Sequence, residues 1–281
     1  MSVKFVIDSA SDVLPQEAKA LGVAHLPMRV VFGEESFADS VEISQREFYE
    51  KLAASKKLPT TCQIPPAEFA DCYEELVSAG NEVVVITISS KLSGTYQSAV
   101  MAAEEYPGKV FVVDSLSAAV GERILLQRGL ELAAKGLSAA EIAGILTEER
   151  HQIQLMAIVD TLEYLKKGGR VSATVAFAGG LLSIKPAIRI CDGEVAMAGT
   201  ARGYKQSNAL LRKLVLESGG VDMSRPMALV WSGLEDDLLR KFIEESPELW
   251  QGREDLPCCG LGCTIGAHVG PGAYGLAFFR K

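Results

Sequence analysis

The chain has 281 residues, 48% of them hydrophobic and 23% charged, which is enough apolar material for about two domain cores. Its formal net charge of -8 and pI near 5.1 work against binding a phosphate backbone, so nucleic acid is not an expected partner. Lys4 and Asp8 interrupt the only apolar start, and no run reaches the ~20 residues of a membrane helix, so a soluble cytoplasmic protein without integral membrane association is expected.

Strand and helix signals alternate through the first half. Val3 to Ile7 reads as a buried strand ending in the polar turn Asp8-Ser9-Ala10-Ser11-Asp12, and Pro15 suits the first turn of a helix. Met28 to Phe37 reads as a hairpin around Gly33-Glu34-Glu35. Ser44 with Glu47 and Ser138 with Glu141 form capping boxes that start two helices. Pro59-Thr60-Thr61-Cys62-Gln63 reads as a polar loop ahead of a helix opened by Pro65-Pro66 and carrying Phe69, Tyr73 and Leu76. The strand Val83 to Ile88 then breaks into Ser89-Ser90-Lys91-Leu92-Ser93-Gly94-Thr95 before an Ala-rich helix reaching Tyr106, and a strand follows at Val110 to Val113. This βα repetition implies a parallel sheet covered on both faces.

The turn at Ser93 is the most informative point. The first N–H groups of a helix have no intrahelical partner and carry the positive end of the macrodipole, so an anion can be held there without a formal cation. Ser93 and Thr95 add hydroxyl donors, and Gly94 lets the backbone approach closely. Without a ligand, a serine in that position serves as an N-cap.

Near residue 155 the pattern changes. Leu155 to Val159 reads as a strand, and Ile184 to Ile190 with Val195 to Gly199 flanks Asp192-Gly193, a two-residue hairpin signal that implies antiparallel pairing. Helices are expected at Lys205 to Leu216 and Leu234 to Glu244, around a strand at Met227 to Trp231. A last strand pair, Cys259 to Ile265 and Tyr274 to Phe279, would enclose the loop Gly266 to Gly272 and leave His268 accessible between glycines. The segment Thr161 to Arg170 reads as a short helix ended by Lys166, Lys167, Gly168 and Gly169, which puts Arg170 on a tightly turned or mobile backbone. Val171 to Ile184 is too short for a membrane span and reads as either the wall of an apolar tunnel or an ordinary core helix. The expectation is an α/β fold with a Rossmann-like parallel-sheet domain over residues 1–154 and an α+β domain with a mostly antiparallel sheet over 155–281. Of the six cysteines, Cys258, Cys259 and Cys263 cluster with only His268 nearby, which is not zinc-ligand spacing, so no metal is expected.

Four segments in order carry a resemblance to the DegV family. They are Pro59-Thr60-Thr61-Cys62-Gln63, the Ser93 turn, Thr161 to Arg170 ending in Gly168-Gly169-Arg170, and the His268 loop, and the likeness runs from Ile7-Asp8-Ser9-Ala10-Ser11-Asp12 through Ile88-Ser89-Ser90-Lys91-Leu92-Ser93-Gly94-Thr95-Tyr96-Gln97-Ser98-Ala99 to His268-Val269-Gly270-Pro271-Gly272-Ala273. The resemblance implies a fatty-acid-binding subunit of a bacterial fatty acid kinase. Such a protein buries the acyl chain, needs no cofactor, and presents the carboxylate to a separate ATP-dependent kinase subunit for acyl phosphate formation. By this resemblance Thr61, Ser93, Gly94 and His268 hold the head group, with Arg202 a companion, and Arg170 assists phosphoryl transfer. The chain departs from the family at Thr61-Cys62-Gln63-Ile64-Pro65, where Thr-Ser-Gln-Pro-Ser is common. A rival reading, from the residues alone, is a serine hydrolase or acyltransferase with Ser93 as nucleophile and His268 as base. It lacks the first glycine of a nucleophile elbow and an identifiable acid.

Overall fold

The computed structural model describes residues 2–171 and 183–281, and those residues form three sheets. The first is fully parallel, in the order Val23–Leu26, Val3–Asp8, Glu82–Thr87, Val110–Asp114. Val83 to Ile86 are wholly buried, which explains why this central strand is a continuous β-branched run rather than an alternation: helices cover both its faces. The helices Pro66–Ser78 and Thr95–Ala103 pack on this sheet, as do Val120–Ala134 and Ala139–Glu149. Both expected capping boxes are present, at Ser44 for Gln45–Ala54 and at Ser138 for Ala139–Glu149.

The second sheet has six strands in the order Glu194–Arg202, Ile184–Cys191, Ile153–Ile158, Tyr274–Phe279, Met227–Trp231, Cys258–Gly260. All neighbours run antiparallel except the last pair. Asp192 and Gly193 both adopt positive φ, 49° and 85°, as the two-residue hairpin turn requires. The architecture is thus the expected α/β fold, a Rossmann-like parallel sheet followed by a mostly antiparallel one.

The sequence pattern does not announce the helix Val120–Ala134, which is nonetheless the joint of the molecule. Val120, Ile124, Leu125 and Leu126 are fully buried, and one continuous core links Val84 and Ile86 of the first sheet with Val230, Ala277 and Phe279 of the second. A helix buried on most of its circumference shows little amphipathic periodicity.

Two expectations are corrected. The stretch around Thr61 is not a loop: Thr60–Cys62 is a short strand of a third sheet, antiparallel to Arg29–Phe32, which pairs in turn with Glu35–Ala38. The stretch Cys259 to Ile265 is not one strand, because the chain turns at Leu261-Gly262 and forms the helix Cys263–Val269. His268 therefore stands in the last turn of a helix and not in a glycine loop. Of the proposed tunnel wall Val171 to Ile184, only Val171, Ser183 and Ile184 fall within the described residues. Among the described residues no helix is long and apolar enough to cross a membrane.

Candidate functional site

The helix Cys263–Val269 is only seven residues long and carries Gly266 in its middle, so little local propensity supports it. Its stability comes from elsewhere in the chain. Asp39, fully buried, accepts hydrogen bonds from the Cys263 and Thr264 amides at 3.1 and 2.8 Å, satisfying free donors at the helix start. At Gly266 a Cβ would lie 2.7 Å from the Tyr49 hydroxyl and 2.8 Å from Phe48 Cε1, so glycine lets this helix press against Gln45–Ala54.

That packing aims His268 at Thr61. The strand Thr60–Cys62 holds Thr61 opposite Val30, and Thr61 Oγ1 lies 2.8 Å from His268 Nε2. Nδ1 of the same ring is buried without a hydrogen-bond partner. It rests against Gly168, where a Cβ would come within 2.2 Å of it. Burial, with the nearby Arg170 charge adding to it, pushes the imidazole down to about 4, so the ring is neutral near pH 7. A neutral ring has one donor nitrogen. With the proton on Nε2, His268 donates to Thr61 and turns the threonine O–H outward as a donor.

Arg170 follows the helix Glu163–Lys167 and a Gly169 with φ of 71°. Its Nε donates to the Leu92 carbonyl at 3.1 Å and its Nη1 to the Gly168 carbonyl at 2.5 Å, tying this turn to the one that carries Ser93. Burial lowers its pKa from the usual value. Ser93 Oγ accepts from the Thr95 amide at 3.2 Å and lies 2.9 Å from Thr95 Oγ1, at the start of Thr95–Ala103. The residue in the capping position is Gly94, and a Cβ on it would lie 2.1 Å from Gln63 Oε1. Gly94 thus lets the Gln63 side chain cross the helix start and donate to Ser98 Oγ at 3.0 Å.

Thr61, Ser93, Arg170 and His268 line one cavity between the two large sheets, with about 860 Å3 of empty space counted to its open mouth. The rest of its wall is mostly apolar, with Ile88, Leu92 and Ala118 from the first lobe and Leu155, Ile188 and Val230 from the second. Sequence reasoning missed Thr264, which also lines the cavity and whose Oγ1 is buried without a partner. Its only sequence signal was a hydroxyl in an apolar run four residues before His268. Arg202 is not brought to the cavity: it is exposed at the end of Glu194–Arg202, with its amide donating to Gln206 Oε1 at 3.2 Å.

Thr61, Arg170 and His268 also form the inner wall of an outer cleft that adds Lys56, Lys57, Tyr164 and Lys167. The polar residues at the cavity are thus approached from outside through a basic surface, on a chain whose net charge is -8. Ser93 and His268 do not form a dyad, since the histidine's one bonded nitrogen faces Thr61 and the serine hydroxyl faces Thr95. The hydrolase reading accordingly has no support in the geometry.

An α/β fold thus holds, between its two larger sheets, a mostly apolar cavity bordered by the hydroxyl residues Thr61, Ser93 and Thr264. This chain belongs to the DegV family, an uncharacterised protein family whose profile matches residues 2–281. A DegV domain-containing protein of Deinococcus radiodurans is 36% identical over 99% of this chain and 98% of its own. Among solved structures, a DegV family protein from Thermus thermophilus described by its fatty acid binding superposes with a TM-score of 0.89 at 34% identity, covering all of both chains. The fatty acid binding protein DegV from Bacillus subtilis gives a TM-score of 0.84 at 28% identity, again over the full length of both.

Proposed function

We propose that this protein binds a long-chain fatty acid, with the acyl chain in the cavity between the sheets and the carboxylate at Thr61, Ser93 and His268. The observation that carries this reading is the joining of an apolar cavity to a cluster of neutral donors, reached by residues 207 positions apart in the chain. Each buried methylene contributes ~0.8 kcal/mol, so the chain supplies gross affinity, while the carboxylate needs paired donors to offset its desolvation. Charge-assisted bonds from hydroxyls serve that need without a buried counter-charge. The neutral state of His268 suits the role, because it orders Thr61 instead of forming an ion pair.

The carboxylate is then presented, through the basic outer cleft, to an ATP-dependent kinase subunit that converts it to the acyl phosphate. Lys56 and Lys57, with Lys167 paired to Glu163 of the same lining, leave that cleft a net positive charge suited to a phosphoryl group, and Arg170, which borders both spaces, would assist the transfer. Likeness to DegV proteins with fatty acid binding supports the ligand, and the partner is what the sequence resemblance implies.

Protein expressed in bacteria should carry fatty acid into native mass spectrometry, and recovering none from protein extracted with organic solvent overturns the ligand assignment. Arg170→Gln should impair acyl phosphate formation by an added DegV-partner kinase far more than it weakens lipid binding. An equal effect on both would make Arg170 a binding residue only.

A further inference from the structure

A second cavity lies between the lobes, and its character is opposite to the first. Ser117, Arg150, His151, Gln154 and Arg189 are among its lining residues, around about 640 Å3 of empty space that opens to solvent. Three observations set it apart from ordinary surface relief. Ser117 is 3% exposed, yet its Oγ has no hydrogen-bond partner. Arg150 donates through Nη1 to the Asp114 carbonyl at 2.7 Å, while its Nε is buried and unpartnered. Arg189 enters no ion pair among the described residues. The one carboxylate in the lining, Asp192, accepts from its neighbour Cys191 at 3.7 Å and reaches neither guanidinium. Two guanidinium side chains, Arg150 and Arg189, therefore line one polar space whose carboxylate reaches neither, on a chain that is acidic as a whole.

The position of this space adds to the argument. Leu155, Arg189 and Ile190 belong to the walls of both cavities, so three side chains separate the acyl cavity from the polar one. The backbone around Ser117 is held by the turn that leads to Ser93, because the Ser89 amide donates to the Ser117 carbonyl at 2.8 Å. Guanidinium groups lining a polar space favour an oxyanion, which accepts from several of their N–H donors at once.

We propose that this cavity is an oxyanion subsite for a carboxylate or phosphate group. The anion has two possible sources: the far terminus of an α,ω-dicarboxylic acid lodged in the acyl cavity, which rests on the fatty acid reading, or a free anion, which does not. The test uses the full chain. Calorimetry on delipidated protein compares a long-chain monocarboxylic acid with the dicarboxylic acid of equal length, and inorganic phosphate is titrated separately into lipid-loaded protein. For a chain-end source, Arg189→Gln lowers the dicarboxylic-to-monocarboxylic affinity ratio by about ten-fold, equivalent to ~1.4 kcal/mol. For a free anion, phosphate binds saturably and Arg189→Gln abolishes it. Arg150→Gln, which also removes a bond to the Asp114 carbonyl, serves as the second variant and should act in the same direction. An unchanged ratio in both variants together with no saturable phosphate binding overturns the subsite, and if the monocarboxylic acid still binds in that case, the fatty acid reading stands.

Discussion

Replacing Thr61 by Val keeps the shape of the side chain and removes one hydroxyl, so it isolates the proposed carboxylate contact. In the free protein the loss leaves His268 with no partner on either nitrogen, since Nδ1 already has none and Nε2 is bonded to Thr61 alone. A buried polar group so stranded costs ~1–3 kcal/mol, and the unliganded protein should lose stability by that order. In the complex the variant also forfeits a hydrogen bond to a charged group, worth ~1.5–3 kcal/mol, which corresponds to a dissociation constant raised roughly 10- to 100-fold. A fatty alcohol of equal chain length makes only a neutral bond and should lose less than about ten-fold. Competition with a fluorescent fatty acid measures both ligands on one preparation, and chemical denaturation reads the stability. Equal losses for acid and alcohol would refute the carboxylate contact, and an unchanged affinity for both would remove Thr61 from the site.

Three further outcomes follow from the same geometry. Gly168→Ala should weaken fatty acid binding and lower stability, because φ at Gly168 is -74° and accommodates alanine but the new Cβ lies 2.2 Å from His268 Nδ1 and 3.2 Å from the Tyr164 carbonyl; Gly144→Ala, where a Cβ meets nothing within 4 Å, is the control, and equal affinities in the two variants would contradict the steric argument. His268 should contribute stability that is complete above pH 6.5 and lost as pH falls through about 4, because the unfolded ring takes up its proton first; urea midpoints of His268→Gln against the parent between pH 7 and 4 check this, and parallel pH curves would exclude it. Glu122 is fully buried with neither carboxylate oxygen partnered, and burial, together with the charges of Asp8, Asp12 and Asp114, raises its pKa well above the usual value. It then keeps a proton that the unfolded chain releases above about 4.5, so its ionisation weakens the fold as pH rises. Glu122→Gln should accordingly raise the melting temperature at pH 8 more than at pH 4, and the reverse ordering in calorimetry would show that Glu122 is charged in the folded protein.

The legible parts of the molecule are those with local causes. The capping boxes, the Asp192-Gly193 hairpin, the parallel-sheet strands and the Ser93 turn each follow from residues within a few positions of one another, and each appears near its expected place. The missed elements have distant causes. Thr60–Cys62 is too short to show alternation and exists as a strand because Arg29–Phe32 supplies its partner. Cys263–Val269 depends on Asp39, 224 positions from Cys263, to satisfy its first amides. Val120–Ala134 is buried on most of its circumference, with Glu122 and Gly129 among its buried residues, so the contrast between its polar stripe of Arg123, Gln127 and Glu131 and the rest is weak. Thr61, Ser93 and His268, which the family resemblance groups at one head group, line one cavity, and Arg170, which it assigns to phosphoryl transfer, lines the same cavity.

The same distinction bears on how the site works. Thr61 lies on the small sheet, Ser93 at the mouth of the parallel sheet, Arg170 beyond the strand Ile153–Ile158, and His268 on a helix capped by Asp39. No single element orients two of them. The Thr61–His268 bond and the Arg170 bond to the Leu92 carbonyl therefore close only when the surrounding sheets are assembled. Rigid elements on several sides give the donors fixed directions before a ligand arrives, which limits the ordering a carboxylate must impose. The acyl cavity needs no such direction, because apolar contact is proportional to area and indifferent to angle. On the proposed fatty acid reading, head-group recognition and chain accommodation are thus separable: changes at Thr61 or His268 should alter which head group is held, while changes at Ile188 or Val230 should alter which chain fits.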